Sequence, residues 1–222
     1  MARISTGALI PAICRRWTAS ESVNTPYTMP TLPTLDTPRL RLRPFRADDA
    51  PALVRELGDV EVARETLSVP HPYAPERAQE FLARVAERFE AGKSVVWAIV
   101  ESPTPEAEPP ARSDGSTAAL IGAVGLEIVA AHRRAELGYW IAKSRWGQGI
   151  ATEAARAVVA YGFDTLGLHR IEAHHYPENP GSGAVMRKLG MKHEGRLRAK
   201  VWRDGVPRDL ELYALLASDA RG

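Results

Sequence analysis

Two glycines separated by one residue stand directly before a helix-forming segment in the stretch SRWGQGIATEAARAVV, residues 144–159. The first N–H groups of a helix have no partner within the helix and carry partial positive charge. Gly147 and Gly149 have no side chains, so an anion can approach the main chain at this point. The pattern predicts a phosphate-binding loop, and the alternative is a helix start without a ligand.

The loop matches neither of two common nucleotide-binding motifs. The P-loop motif G-x-x-x-x-G-K-[ST] does not occur in the chain. The dinucleotide motif G-x-G-x-x-G would need glycine where Thr152 stands, although Glu172 follows at a suitable spacing. The strands before the loop form a meander, and too little chain follows for paired βαβ halves. A dinucleotide-dependent enzyme is therefore disfavoured.

The composition is that of an ordinary globular protein, with 222 residues, 45% hydrophobic and 25% charged, which predicts one domain or at most two. No apolar run approaches the roughly 20 residues that span a bilayer. The single cysteine, Cys14, excludes an internal disulfide and fits a reducing compartment, so we expect a cytoplasmic protein. The net charge of +2 resides in residues 1–28, and the balanced remainder argues against a nucleic-acid binder.

Residues 1–33 differ from the rest of the chain and are predicted to be a disordered N-terminal extension. They carry several arginines and serines but a single acidic residue, Glu21. Pro11 interrupts the apolar stretch GALIPAI, which argues against a leader peptide. Another explanation is an upstream start codon, because Met29 is a plausible start. Residues 34–218 are assigned to one folded domain.

The apolar patterning places the glycine loop after a run of strands. RLRLRPF, residues 39–45, alternates leucine with arginine as a half-buried strand does. Helical spacing then predicts helices within residues 46–59, 60–67 and 75–92. Three strands, a helix, a strand, a short helix and a terminal strand pair follow. The Pro- and Glu-rich segment 101–116, between the first two of these strands, is expected to be a flexible loop.

Two stretches together resemble a known protein family. ELGYWIAKSRWGQGIATEA, residues 136–154, and NPGSGAVMRKLGM, residues 179–191, are similar to the GNAT N-acetyltransferases and closely similar to their RimJ/RimL-like branch. The resemblance covers about residues 35–216. It implies an α/β fold with a mixed, mostly antiparallel, twisted sheet that is splayed in the middle and flanked by helices. It also implies that acetyl-coenzyme A, the cosubstrate, lies in the split.

The resemblance assigns the pyrophosphate of the coenzyme to the glycine loop. The family pattern is Q/R-x-x-G-x-G/A, and here its first position is Trp146. Since main-chain N–H groups bind the phosphate, this change leaves the binding function intact. Asn179 is a helix cap and, by resemblance, also a coenzyme contact. The predicted coenzyme-binding residues are Ile141, Trp146, Gly147, Gln148, Gly149, Ile150, Ala151, Thr152, Asn179 and Ser182.

Acetyl transfer from a thioester to an amine requires a polarised carbonyl, a deprotonated amine and a proton for the leaving thiolate. By resemblance, the main-chain amide near Ile141 faces the carbonyl. Many family members place a tyrosine where Met186 stands, and methionine cannot donate a proton. Ser182, four residues earlier, is predicted to assist the leaving sulfur. The alternative for Ser182 is a residue that only stabilises the start of a helix.

Two carboxylates are candidates for the base that accepts the amine proton. Glu136 lies, by resemblance, on the strand beside the reactive carbonyl and is preferred, acting directly or through a water. Glu127, on the preceding predicted strand, is the second choice. For both residues the structural alternative is a charged strand position that faces solvent.

The histidines and most aromatic residues have structural interpretations. His174 and His175 are adjacent on a predicted strand and point to opposite faces, so they cannot easily share a metal ion. The sequence contains no H-E-x-x-H or paired-cysteine pattern, and no metal site is expected. Aromatic residues in strands mostly belong to the core, but Tyr139 and Trp202 are expected to lie near the acceptor pocket.

These predictions describe an acetyl-coenzyme A-dependent N-acetyltransferase. Its expected substrate is a primary amine, either the N-terminal amine of a protein or peptide or the amine of a small molecule. The protein is expected to be a monomer or a homodimer that binds neither nucleic acid nor a membrane. The alternative is a protein of the same fold that binds acyl-coenzyme A without turnover. Met186 at the tyrosine position gives this alternative some weight, whereas the presence of both Glu136 and Ser182 favours the enzyme.

Overall fold

The computed structural model describes residues 31–102 and 119–220. The predicted N-terminal extension lies outside the described residues except for its last three positions, and so does most of the predicted loop at 101–116. Among the helices of the described ranges, none is both long and apolar enough to cross a bilayer. The elements are β1 (Leu35–Asp36), β2 (Leu40–Arg43), α1 (Ala50–Leu57), α2 (Val60–Glu65), α3 (Pro75–Glu90), β3 (Ser94–Glu101), β4 (Leu120–Val129), β5 (Arg134–Ile141), α4 (Ile150–Asp164), β6 (Arg170–His175), α5 (Pro180–Lys188), β7 (Lys192–Arg203) and β8 (Val206–Leu216).

These strands form one sheet in the order β1-β2-β3-β4-β5-β6-β8-β7. Neighbours are antiparallel except β5 and β6, which are parallel. The pairing of β5 with β6 ends at Glu136 opposite Glu172. Strand β5 continues to Ile141 and β6 to His175, so the sheet opens between them. The predicted mixed, mostly antiparallel sheet that splays in the middle is confirmed.

Helices cover both faces of the sheet, and the alternation along β5 decides which face each of its side chains reaches. The larger core joins Leu137 and Ile141 of β5 to apolar residues of α4 and α5. The smaller core joins Trp140 to Leu53 and Val62 of the helices α1 and α2. Odd-numbered side chains of β5 therefore face α4 and α5, and even-numbered side chains face α1–α3.

Packing against the sheet begins before the first strand. Leu32 is buried in the larger core, and the indole N–H of Trp97 donates to the carbonyl of Pro33 at 2.7 Å. These contacts attach residues 32 and 33 to the sheet, immediately before the predicted domain boundary at residue 34. That boundary itself stays a prediction.

Candidate active site

A cavity of about 460 Å³ lies where β5 and β6 separate. Its wall contains residues from both faces of the sheet: Val62 and Glu65 of α2 on one side, and Ile150 and Thr152 of α4 on the other. The cavity therefore passes through the split in the sheet. A ligand that enters along one face can meet a second molecule that enters from the opposite face.

The glycine loop forms one end of this cavity. Gly147 and Gly149 have φ angles of +74° and +78°, a left-handed region that glycine enters without steric cost. Gly149 is the N-cap of α4, so the N–H groups of the first helical turn open towards the loop. Among the predicted loop contacts, Gln148 does not line the cavity. The contacts that do are Trp146, Gly147, Gly149, Ile150, Ala151 and Thr152.

Arg39, just before β2, supports this loop from outside the cavity. Its Nη1 donates to the carbonyl of Gln148 at 3.0 Å. In a trans peptide the C=O and N–H groups point in opposite directions, so this bond turns the N–H of Gly149 away from Arg39. Sequence reasoning missed the contact because 109 positions separate the two partners.

Glu153, in the first turn of α4, holds Arg39 in place. Its carboxylate accepts from the Arg39 Nε at 2.7 Å, from the Arg39 main-chain N–H at 2.9 Å and from the Thr37 Oγ1 at 2.7 Å. Burial raises the pKa of Glu153, but the hydrogen bonds from Thr37 and Arg39 outweigh it, so this pKa lies below its usual value. We call Thr37, Arg39 and Glu153 the loop brace.

Trp146, at the first position of the loop pattern, attaches the loop to β5. Its indole N–H donates to the carbonyl of Ile141 at 2.8 Å. The N–H of Ala142 donates to the carbonyl of Ile121 at the edge of β4 at 2.8 Å. Since main-chain groups alternate in direction along a strand, the N–H groups of Ile141 and Tyr139 point towards the split. The wall of the cavity therefore contains two main-chain donors of β5.

Helix α5 begins on the far side of the split. Asn179 caps it as predicted, because its side-chain oxygen accepts from the N–H of Ser182 at 2.8 Å. Both residues line the cavity, whereas Met186 is 1% exposed and belongs to the larger core. The hydroxyl of Tyr139 donates to the Ser182 carbonyl at 3.4 Å and thus bridges the split.

Glu136 lies at the point where the strands part, on the face that carries α1–α3. Its Oε1 is 2.9 Å from the Nδ1 of His174, which lies two residues beyond the last paired position of β6. The side chain of His174 is 9% exposed and that of Glu136 is 42% exposed. Glu136 is beside the cavity rather than in its wall. Because Glu136 and Tyr139 are three residues apart on β5, their side chains lie on opposite faces of the strand.

Gly138 occupies the position between Glu136 and Trp140 on this face. A Cβ atom added at Gly138 would meet no atom within 4 Å, and its φ lies outside the left-handed region. The backbone at this position would accept any L-residue, so the distinguishing property of this glycine is the free space above it. We call this space the Gly138 patch.

Basic side chains line one end of the cavity and acidic side chains line the other. Arg145, which also pairs with Glu101 at 3.0 Å, and Lys188 belong to the part formed by the loop and α5, where positive charge suits phosphate groups. Glu65 and Glu178 line the cavity on the other side, and Glu178 also pairs with Arg208 at 3.3 Å. Burial, followed by the charges of Glu178 and Glu61, raises the pKa of Glu65. A cation bound here would relieve that repulsion.

The remaining predicted residues lie apart from the cavity. Glu127 is opposite Glu136 on β4 and forms an ion pair with Arg88 of α3. Trp202 is not in the wall of the cavity, and it is 74% exposed because β7 is the outer strand of the sheet. Its expected place near the acceptor pocket stays a prediction. His175 is buried, and its Nδ1 lies 2.7 Å from the Tyr176 carbonyl. Within the described ranges, no group of three His, Cys, Asp or Glu residues could hold a metal ion.

Comparisons with known proteins agree with this geometry. Residues 39–192 match the model of the acetyltransferase (GNAT) domain. Uncharacterized N-acetyltransferase YoaA of Bacillus subtilis is 32% identical over 185 residues, which cover 83% of this chain and 97% of that protein. The E. coli ribosomal protein uS5-alanine N-acetyltransferase is 37% identical over 83 residues, covering 37% of this chain and 43% of that protein. The structure of Mycobacterium smegmatis RimJ in complex with CoA-disulfide has a TM-score of 0.68 and 29% identity, covering 82% of this chain and 84% of that one.

The residues of the cavity suit the cosubstrate of this family. The loop offers N–H groups at a helix N-terminus, Arg145 and Lys188 supply positive charge, and β5 presents main-chain donors beside the split. These features fit a long molecule with phosphates at one end and a thioester at the other. The chain belongs to the GNAT acetyltransferase family and is an N-acetyltransferase whose cosubstrate is acetyl-coenzyme A.

Proposed function

We propose that this enzyme transfers the acetyl group of acetyl-coenzyme A to a primary amine, on either a protein N-terminus or a small molecule. The observation that carries the proposal is the passage of the cavity through the sheet. One opening holds an anion-binding loop, and the other is lined by carboxylates. Two reactants of opposite charge can thus approach each other from opposite faces, and direct transfer requires that they meet at about 3–3.5 Å.

On the coenzyme side, the main chain does most of the proposed binding. The N–H groups of the loop and of the first turn of α4 bind the pyrophosphate. The N–H of Ile141 polarises the thioester carbonyl as an oxyanion donor. Asn179 shapes the opposite wall through its cap on α5, and Ser182, beside it, assists the leaving sulfur.

On the amine side, Glu136 accepts the proton that the amine loses, directly or through a water. His174 holds the carboxylate at the edge of the split. The Gly138 patch gives the acceptor room, and Glu65 and Glu178 favour a positively charged one. An alkyl amine with a pKa near 10 is almost fully protonated at neutral pH, so a base at this position has a clear chemical purpose.

A thiol-release assay across an amine panel tests the proposal. The panel contains short peptides with free N-termini, a polyamine and single amino acids. The matched control is the best peptide with its N-terminal amine blocked. We expect release of the coenzyme thiol, with an equal amount of acetylated product by mass spectrometry, for free amines only. Equal thiol release with blocked and free peptides would contradict N-acetylation.

The alternative function is binding of an acyl-coenzyme A without turnover. It is supported by Met186, since the position that carries a proton donor in many relatives is here a buried apolar residue. The pairing of Glu136 with His174 at the split favours the enzyme. Tight coenzyme binding by calorimetry, together with no product on the whole panel, would favour the alternative.

A further inference from the structure

The sulfur that leaves during acetyl transfer accumulates negative charge, and a hydrogen-bond donor beside it would stabilise that charge. Met186 cannot donate. The described wall of the cavity contains four hydroxyl groups, on Thr66, Tyr139, Thr152 and Ser182. Thr66 follows α2, on the face of the sheet that carries α1–α3. Thr152 belongs to the first turn of α4, behind the glycine loop. Tyr139 and Ser182 are the two that face each other across the split.

Of these two hydroxyls, that of Tyr139 is the stronger donor. A phenol is far more acidic than an aliphatic alcohol, with an ordinary pKa near 10. The bond from the Tyr139 hydroxyl to the Ser182 carbonyl measures 3.4 Å, well beyond the usual 2.7–2.8 Å of such bonds. A donor held by so long a bond can turn to a better acceptor at little cost.

We propose that the Tyr139 hydroxyl is the hydrogen-bond donor to the departing coenzyme sulfur, and that Ser182 acts through Tyr139 as its positioning residue. This inference rests on the proposed acetyl transfer. The amine nitrogen forms a bond to the acetyl carbon, and the C–S bond breaks with its electron pair moving to sulfur. The amine proton passes to Glu136, Tyr139 keeps its own proton while it stabilises the thiolate, and the thiolate takes a proton from solvent.

The environment of Tyr139 suits a donor that keeps its proton. Burial raises the pKa of Tyr139 to about 12, although the hydrogen bond with the Ser182 side chain acts in the opposite direction. The phenol therefore stays neutral across the physiological range. Since a thiol has a pKa of about 8.5, full proton transfer from Tyr139 to the thiolate would be unfavourable, and stabilisation by a hydrogen bond is the role that remains.

The arrangement along β5 separates the two halves of the reaction. Glu136 and Tyr139 are three residues apart and so lie on opposite faces of the strand. The amine is deprotonated on the face of α1–α3, and the sulfur is stabilised on the face of α4 and α5. Each group can act without displacing the other reactant.

Tyr139→Phe tests this proposal, because it removes the hydroxyl and keeps the ring. We expect kcat to fall about tenfold or more, with the affinity for acetyl-coenzyme A unchanged by calorimetry. The matched control is Tyr176→Phe, a buried phenol outside the cavity wall, which we expect to leave kcat unchanged. Unchanged kcat in Tyr139→Phe, with an active wild-type enzyme, would overturn the role of Tyr139.

Two further measurements separate a donor from a packing role. A fluorinated tyrosine at position 139, a more acidic phenol of nearly the same size, should move the alkaline fall of kcat/KM to lower pH. The thiol pKa of bound free coenzyme, followed by thiolate absorbance, should rise in Tyr139→Phe. This second readout needs no amine, so it holds even if the acceptor proposal fails. Either result alone would contradict the proposal: an unchanged thiol pKa in Tyr139→Phe, or an unshifted pH profile of kcat/KM with fluorinated tyrosine.

Discussion

The Nδ1 of His174 and the Oε1 of Glu136 lie 2.9 Å apart across the opening between β5 and β6. Backbone pairing between these strands has already ended at Glu136 opposite Glu172. In a continuous sheet, β5 and β6 would form further backbone hydrogen bonds beyond this pair. Here a side-chain contact joins the two strands at that position instead. Because the imidazole is buried and the carboxylate is partly exposed, the ring fixes the proposed base at the edge of the split.

Glu136→Gln should lower kcat/KM at pH 7 by about 10²-fold, because a general base contributes at least that much. Glutamine keeps the shape and a hydrogen bond to His174. The deficit should shrink towards pH 10, since more of the amine is then unprotonated in solution. The measurement is kcat/KM from pH 6 to 10 with a saturating cosubstrate.

The matched control for this experiment is Glu127→Gln, the directly opposite carboxylate on β4. Its ion pair with Arg88 lies at the surface and contributes little, so activity should stay near that of the wild type. If Glu136→Gln is fully active at pH 7 and Glu127→Gln is not, the assignment of the base is reversed.

Replacing Gly138 by valine should weaken binding of the acceptor amine without affecting binding of acetyl-coenzyme A. The added side chain has free space and an ordinary backbone conformation, so the melting temperature should stay the same or rise slightly. We expect KM for the amine to increase at least several-fold along the series glycine, alanine, valine, with the affinity for acetyl-coenzyme A unchanged. A valine variant with the wild-type amine KM would show that acceptors do not use the Gly138 patch.

Arg39→Gln should weaken binding of the coenzyme through the loop. Loss of the bond to the Gln148 carbonyl frees the peptide that presents the N–H of Gly149. We expect the Kd for coenzyme A to rise about fivefold, equivalent to roughly 1 kcal/mol for a partly exposed charged hydrogen bond. Acetyl-pantetheine, which lacks the pyrophosphate, is the control donor. An equal loss with both donors would mean that Arg39 does not act through the phosphate loop.

The loop brace should make stability depend on pH in the acid range. The folded-state pKa of Glu153 is depressed below its unfolded value, so its contribution is fully present above the unfolded pKa. That contribution is lost as the pH falls through the folded pKa. We expect the melting temperature of Glu153→Gln to lie below that of the wild type at pH 6 and to approach it below pH 4. The exposed Glu87→Gln should show no such convergence, and a constant gap at all pH values for Glu153→Gln would contradict the linkage.

The features that depend on residues close together in the chain could be predicted from the sequence. The glycine loop that directly precedes α4 and the Asn179 cap are local features, because residues within one turn determine them. The splayed sheet was predicted from the resemblance of two stretches to a family, and the short pairing between β5 and β6 confirms it.

Contacts between distant elements could not be predicted in this way. Arg39 reaches Gln148 over 109 positions, and the Tyr139 hydroxyl reaches Ser182 over 43. Their geometry depends on how the strands and helices pack. One signal was present nonetheless: the odd spacing between Glu136 and Tyr139 places them on opposite faces of a strand. The exposure of Trp202 could not be predicted either, because it depends on the order of strands in the sheet.

The short seam between β5 and β6 has a consequence for the lifetime of the enzyme. Below Glu136 and Glu172 the two halves of the sheet share backbone bonds, and above them β5 and β6 do not pair. This opening is where we propose that the cosubstrate binds. A ligand present at 100 times its Kd stabilises a folded protein by about 2.7 kcal/mol. The resistance of the enzyme to proteolysis should therefore increase with the concentration of acetyl-coenzyme A. A cell with little acetyl-coenzyme A would then also retain less of the enzyme that consumes it.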